Sequence, residues 1–440
     1  MTDNDLIRSA AARMLRLGGM AGRVGLSMAG NTVANLFRDL EDKEENRAQT
    51  LMKNALRVKD LLGQLKGVPM KIGQMISLHE KLLPDEVVRV LRSLQQNAPA
   101  VAFDDILALV KVELGPRFSL IRSIDETPLA AASIGQVHRA VLVNGAQIAL
   151  KIQYPGIDDV IRADLKNLKG LLTLLFSMFS RMDMDSIWEE VKDRMMEELD
   201  YEKEADSMRR AAKLFEHDRQ IIIPKVIDEV SSRHVLGMEL VCGISPDHAM
   251  GGAFPEELKN TWAQAMVRLI LDGLFTFRFL HADPNLANFA FLPDGRVIVY
   301  DFGCMKEIPE ALCQGYVRLV RAFLDQKHEK LPGILKSMGV HRDGGDPVSV
   351  AMVTDFADML QEFFHPETQY AFGDDEKIYA RFYKIGNRHI SESMTLVFPK
   401  DIIFIDRTFG GHFGNLCRLN ARADWRKILM EYVSGDDARE

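Results

Sequence analysis

Apolar positions change their period several times along the chain, and each change predicts an element. Residues 46–97 read as helices, with Pro84 opening a new one after Leu83. Ile148-Ala149-Leu150-Lys151 is an apolar strand ending in a lysine, and Asn144-Gly145 ahead of it predicts a tight hairpin turn. Residues 157–217 read as a long helical insertion, within which the acidic stretch 197–205 is expected to lie on one helix. Residues 234–243 alternate strand and turn, and 254–430 are mainly helical. The exception there is 296–300, a strand predicted after the Pro293-Asp294-Gly295 turn. The fold class expected is α+β. The domains expected are an amphipathic arm at 1–45, a helical extension at 46–99, a smaller lobe at 100–243 and a larger helical lobe at 244–440.

The most informative stretch is 281–303, HADPNLANFAFLPDGRVIVYDFG. Asp283 is followed five residues later by Asn288, then by a hairpin, then by Asp301-Phe302-Gly303. The catalytic and metal-binding segment of protein kinases has this order and spacing. Two carboxylates and an amide carbonyl are hard oxygen donors, which suit Mg²⁺ or Mn²⁺ bound to the phosphates of ATP. Asp283 stands where a base or phosphate-positioning group is needed, and Asn288 and Asp301 where the metal is held. A surface loop and an ordinary hairpin would account for the Asp-Phe-Gly alone, but not for the joint spacing.

Other parts that an ATP site requires lie upstream in order. Lys151 ends its strand as a phosphate-binding lysine does, although a lone lysine at a strand end is usually just solvated. Ala130, Ala131, Ala132 and Ser133 occupy the position of a glycine-rich loop, and alanine there allows the backbone less freedom. Glu198 and Glu204 are the candidate carboxylates, too far apart to share one narrow helix face. In 234–243, Met238 would stand behind an adenine while the backbone of Glu239 and Val241 pairs with its edge.

The chain resembles the UbiB/ADCK family of atypical kinase-like proteins over roughly residues 45–430. Lys71-Ile72-Gly73-Gln74 matches the family's KxGQ motif, 130–138 its alanine-rich loop and Glu198-Leu199-Asp200 its ExD motif. His281-Ala282-Asp283-Pro284 and Asp301-Phe302-Gly303 complete the set. The resemblance implies a protein-kinase-like bilobal fold with the KxGQ helices packed where a peptide substrate would lie. It implies binding of ATP with a divalent cation, and ATPase activity more readily than protein phosphorylation. It also implies a role in ubiquinone or other isoprenoid-lipid biosynthesis at a membrane. By the same resemblance Lys151 would contact phosphates with Glu204 as its partner, Glu198 would face Lys71, and Gln74 would reach into the active site. The reverse assignment of the two glutamates stays open. So do two other readings, a kinase acting on a small molecule or protein and a nucleotide-binding scaffold without turnover. One departure stands out: family members commonly have His-Pro-Gly before the metal-binding Asn, and this chain has Asn285-Leu286-Ala287.

Composition narrows the picture only slightly. Of 440 residues, 47% are hydrophobic, and mean hydropathy is −0.08, so there is ample material for a core. A net charge of −8 and a pI near 5.8 argue against a nucleic-acid partner. Cys242, Cys304, Cys313 and Cys417 have no metal-ligand spacing and are expected as buried free thiols in a reducing cytoplasm. The longest apolar run, 170–180, is too short to span a bilayer. Residues 6–37 carry Arg8, Arg13, Arg16 and Arg23 with a Gly18/Gly22 pair, as a basic amphipathic segment on an anionic membrane or against a second protomer would. Asp3 and Asp5 argue against a mitochondrial transit peptide. The expected location is therefore cytoplasmic and peripheral at the inner face of a membrane. The expected partners are ATP, quinone or isoprenoid precursors, and a homodimer or biosynthetic complex.

Overall fold

The computed structural model describes residues 101–162, 165, 192, 193, 195–251, 254–366, 368–373 and 375–434. The arm at 1–45, the extension at 46–99 with Lys71 and Gln74, the run 170–180 and the last six residues lie outside them. The chain divides into two compact units, Met1–Glu202 with Ile227–Met238, and Lys203–Val226 with Glu239–Glu440.

In the first unit, helix α1 (Phe103–Leu114) packs on an antiparallel sheet. The sheet's main path runs β1 (Ile121–Ile124), β3 (Gly135–Leu142), β4 (Gln147–Gln153) and β5 (Val235–Glu239), with β2 (Ala130–Ala131) added to β3. Ile106, Val110 and Leu114 recur every fourth residue on α1, and Ile148, Leu150 and Ile152 alternate along β4; the two sets meet in one buried cluster. Each such fully buried side chain contributes about 1.5–3 kcal/mol. Alternation along β4 turns Lys151 to the face opposite that cluster, where it is also buried. The hairpin predicted at Asn144-Gly145 joins β3 to β4: Gly145 takes φ +87, and the Asn144 carboxamide accepts the Ala146 N–H at 2.9 Å.

In the second unit, helix α2 (Tyr201–Leu214) contributes its residues from Lys203 onward. Helix α3 (Glu256–Leu271) leads into β6 (Phe279–His281), which pairs antiparallel with β9 (Met305–Glu307). Between them lies the predicted hairpin, β7 (Phe289–Phe291) and β8 (Val297–Val299), turned at Gly295 with φ +92. Helices α4 (Glu310–Leu324), α5 (Val350–Gln361), α6 (Lys400–Arg418) and α7 (Trp425–Val433) follow. Leu280 and Ala282 are buried in a cluster with Ile270 of α3, Tyr316 of α4 and Phe404 and Ile405 of α6, so the strand entering the 283–288 loop is held from three helices.

Two features add to the expected layout. Within 100–243, expected as the smaller lobe with a helical insertion, Lys203–Val226 clusters with the second unit. The cause is the short strand Ile221–Ile222, which pairs in parallel with β8 and so joins that segment to the hairpin. Residues 197–205, expected on one helix, do not share one. The helix containing Met195 to Glu198 ends at Leu199, and Asp200 opens α2 afresh, its carboxylate accepting the Glu202 N–H at 3.1 Å.

Candidate functional site

In the first unit, β3 and β4 close so tightly at Gly135 that an added Cβ would lie 2.1 Å from the Ile152 carbonyl oxygen. That closure sets the alanine segment. Ala130 and Ala131 pair with Val137 and Gln136, and the Ala132 N–H returns to the Gly135 carbonyl at 2.9 Å. Alanine therefore forms a short exposed strand here, not an open flap. Ser133, at the turn, donates its hydroxyl to the Glu198 carboxylate at 2.9 Å, while the Gln153 carboxamide donates to the Glu198 carbonyl at 3.2 Å. Lys151, two register positions before the end of the closure, lies with its Nζ 5.1 Å from the ring centre of the buried Tyr201.

The other candidate residues lie in the second unit and are organised by short-range hydrogen bonds. An Asp283 carboxylate oxygen accepts the Asn285 N–H at 3.0 Å, and the Asn285 carboxamide accepts the Ala287 N–H at 3.1 Å. Two consecutive Asx turns thus lead into a 3₁₀ turn, Leu286–Asn288, for which Asn285 is the N-cap. Asn285 thus orders by side-chain bonding the stretch Asn285-Leu286-Ala287, which carries neither proline nor glycine. His281 donates from Nε2 to the Asp301 carbonyl at 2.7 Å, the Ala282 N–H reaches the Cys304 carbonyl at 2.9 Å, and the Tyr300 N–H reaches the Asn288 carbonyl at 2.9 Å. These bonds bring Asp283, Asn288 and Asp301 into one compact hairpin. Phe302 is buried edge-on to His281, which anchors the Asp301-Phe302-Gly303 turn, and the Gly303 N–H donates to the Asp301 carboxylate at 3.0 Å. Glu204, expected as the partner of Lys151, is buried in the second unit, with its carboxylate 3.8 Å from where a Cβ on Gly303 would stand.

At 234–243, Met238 is buried at the end of β5. The Glu239 N–H donates to the Lys225 carbonyl at 2.8 Å, and the Tyr300 hydroxyl donates to the Val241 carbonyl at 2.9 Å. Burial pushes the Tyr300 phenol up to about 12, so it acts here as a hydrogen-bond donor and not as a charge. All four cysteines are free; Cys313 and Cys417 are buried as expected, but Cys304 is half-buried and Cys242 is exposed.

The donor set fits a hard divalent cation. Asn288 has a buried side-chain nitrogen without a hydrogen-bond partner, so neighbouring groups do not fix the amide away from presenting its oxygen. Among the described residues no three His, Cys, Asp or Glu side chains are grouped to hold a metal by themselves. A cation held by Asn288 and Asp301 would complete its shell with water and phosphate oxygens, as Mg²⁺ commonly does. The roles of Asn285, Tyr300 and His281 were not read from the sequence, although an Asn directly before a short helical turn is a recognisable capping signal.

Comparison with known proteins bears on the fold and the family. A family profile described as the ABC1 atypical kinase-like domain matches residues 93–334, more than half of the chain. Atypical kinase COQ8B, mitochondrial, of Danio rerio is 34% identical over 272 residues, 61% of this chain and 43% of that protein. Its Rattus norvegicus counterpart is 31% identical over 327 residues, 73% of this chain and 62% of that protein. The chain thus spans about half the length of these curated relatives. A solved structure of Rv3197 from Mycobacterium tuberculosis, in complex with erythromycin, is 26% identical, with a TM-score of 0.64 over 89% of this chain and 98% of that one. The kinase-like fold is that of the ABC1 atypical kinases, the UbiB family that includes COQ8 and ADCK proteins, and this chain belongs to that family.

Proposed function

We propose that this chain binds ATP with a divalent cation and hydrolyses it, in support of ubiquinone or other isoprenoid-lipid biosynthesis at a membrane surface. The observation that carries the reading is the hydrogen-bonded hairpin that gathers Asp283, Asn288 and Asp301, with the His281–Asp301 bond at its centre. When bound, ATP and its cation supply the phosphoryl group and a Lewis acid that balances phosphate charge. Asn288 and Asp301 would hold that cation, Mg²⁺ or Mn²⁺. The Lys151 ammonium would offset phosphate charge, and Asp283 would orient the attacking oxygen and take its proton. Ala130, Ala131, Ala132 and Ser133 would border the phosphates, and the backbone of Glu239 and Val241 would meet the adenine edge. Hydrolysis is favoured over protein phosphorylation because β2 is already paired to β3, which leaves the alanine segment less able to refold over a substrate.

The ubiquinone part of the reading is supported by the similarity to proteins named atypical kinase COQ8B, mitochondrial. No helix among the described residues is long and apolar enough to cross a bilayer. Attachment is assigned to the basic arm at 1–45. The deciding experiment is steady-state ATP hydrolysis with Mg²⁺, with and without anionic liposomes and a phenolic quinone-precursor mimic, using Asp301→Asn as control. Hydrolysis that needs Asp301 and rises with lipid or phenol supports the reading. ATP-dependent thermal stabilisation without hydrolysis would leave a nucleotide-binding scaffold. An acceptor phosphorylated by the wild type and not by Asp283→Asn would make the chain a kinase.

A further inference from the structure

Helix α6 carries a buried face that is unusually polar for a helix filling a core. Phe404 and Ile405 are followed at helical intervals by Thr408, His412 and Asn415, all buried. Thr408 satisfies its hydroxyl within the helix, on the Phe404 carbonyl at 3.0 Å. The other two act outside it. Asn415 donates its carboxamide to the Pro284 carbonyl at 2.8 Å, both groups buried. Without that donor the buried carbonyl would be left unsatisfied, which is costly. One turn away, an added Cβ on Gly411 would lie 2.3 Å from Cγ and 2.5 Å from Cβ of Pro284. The proline ring therefore rests on the bare helix backbone. A glycine inside a helix is destabilising relative to alanine, so its presence there needs a packing reason. Its neighbour Gly410 has open space where a Cβ would be, so the close approach belongs to Gly411 alone. His412, between them in sequence, stands edge-on to Phe289 at 5.8 Å. Burial, and after it the nearby His281, holds its imidazole neutral, down to about 3.

These contacts bracket the loop. Pro284 directly follows Asp283, and Phe289 directly follows Asn288. We propose that α6, which lies wholly beyond the family-matched segment 93–334, is the positioning element of this loop: Gly411, His412 and Asn415 seat Pro284 and Phe289 and so set the place of the Asp283 carboxylate and the Asn288 amide. The Asx turns within 283–288 order the loop internally; α6 fixes where the ordered loop stands.

The proposal rests on the ATP-turnover reading for its catalytic consequence, so its test has a readout that does not need turnover. Hydrogen–deuterium exchange of the full chain would be followed in peptides covering 281–289, for wild type, Gly411→Ala and Asn415→Leu. Exchange at the Asn285 and Ala287 amides should rise several-fold in both variants, while α1 and β3 to β5 exchange as before. In hydrolysis assays kcat should fall by about tenfold or more, since displacement on the scale of 1 Å can cost about a hundredfold. KM for ATP should stay within about twofold. Pro284→Gly removes the ring that Gly411→Ala would strike, so the double variant should be no worse than Pro284→Gly alone. Unchanged exchange at 281–289 would overturn the proposal, as would uniform loss of protection throughout the second unit or additive losses in the double variant. If the wild type does not hydrolyse ATP, the functional reading fails, and the exchange pattern still decides whether α6 seats the loop.

Discussion

The Ser133 hydroxyl donates to the Glu198 carboxylate at 2.9 Å, tying the turn of the alanine segment to a residue 65 positions away. The resemblance assigned Glu198 to Lys71, which lies outside the described residues, so its demonstrated partner is the alanine segment itself. Both side chains are half-buried, which places the bond at about 1 kcal/mol. Ser133→Ala should lower unfolding stability in urea by that amount, and Glu198→Gln, which keeps an acceptor, by less. Equal losses in the two variants would mean that Glu198 is held mainly by other groups.

Asn285 caps the 3₁₀ turn that ends at Asn288. Asn285→Ala removes the acceptor for the Ala287 N–H, at a cost near 1 kcal/mol, and loosens the segment between Asp283 and Asn288. The Mg²⁺ concentration giving half-maximal ATP hydrolysis should rise several-fold, while nucleotide affinity without metal is unchanged. Asn285→Asp, which retains the cap oxygen, should recover most of the loss. A metal response identical to wild type in the alanine variant would contradict the capping role.

Lys151 is buried with its ammonium over the Tyr201 ring. Lys151→Met keeps most of the stem and removes the charge. ATP-dependent thermal stabilisation should disappear, and KM for ATP should rise by about tenfold or more, the charge pairing with phosphate being worth at least about 1.4 kcal/mol. Tyr201→Leu should give a smaller shift in the same direction through looser placement of the lysine. Undiminished stabilisation by ATP in Lys151→Met would remove this residue from the site.

His412 makes stability fall on acidification. In the unfolded chain the imidazole takes up a proton near pH 6.5, whereas in the folded chain burial holds it down to about 3. Between those values the unfolded state binds more protons, so stability rises with pH and is lost as pH falls. The loss approaches about 1.4 kcal/mol per pH unit well below 6.5. His412→Gln should be less stable than wild type at pH 7.5, with the difference narrowing at pH 6 and again at pH 5 in urea titrations. Parallel curves for the two proteins would show that the imidazole is reached by protons in the folded state.

The readable parts of this protein were those whose chemistry lies close together along the chain. Asp283, Asn288 and Asp301 share one hairpin, and the turn residues at Asn144-Gly145 and Pro293-Asp294-Gly295 stand where the predicted turns formed. The strand bearing Lys151 was legible because its apolar alternation faces a single buried cluster. The break between Glu198 and Glu204 was not, since an acidic run with good helix propensity conceals a cap at Asp200 whose effect depends on the chain direction around it.

By itself the sequence determined the family and the α+β class and named the candidate residues for phosphate and metal, because spacing along a strand or a tight loop translates directly into geometry. Only the tertiary structure decided which segments share a unit, as Ile221–Ile222 does by pairing with β8, and which distant groups seat the loop, as Asn415 does with Pro284 across 131 positions. Those contacts carry no periodic signal. They arise where a glycine, an amide and a carbonyl meet in a close-packed interior, and packing selects such partners by shape and by the need to satisfy every buried polar group.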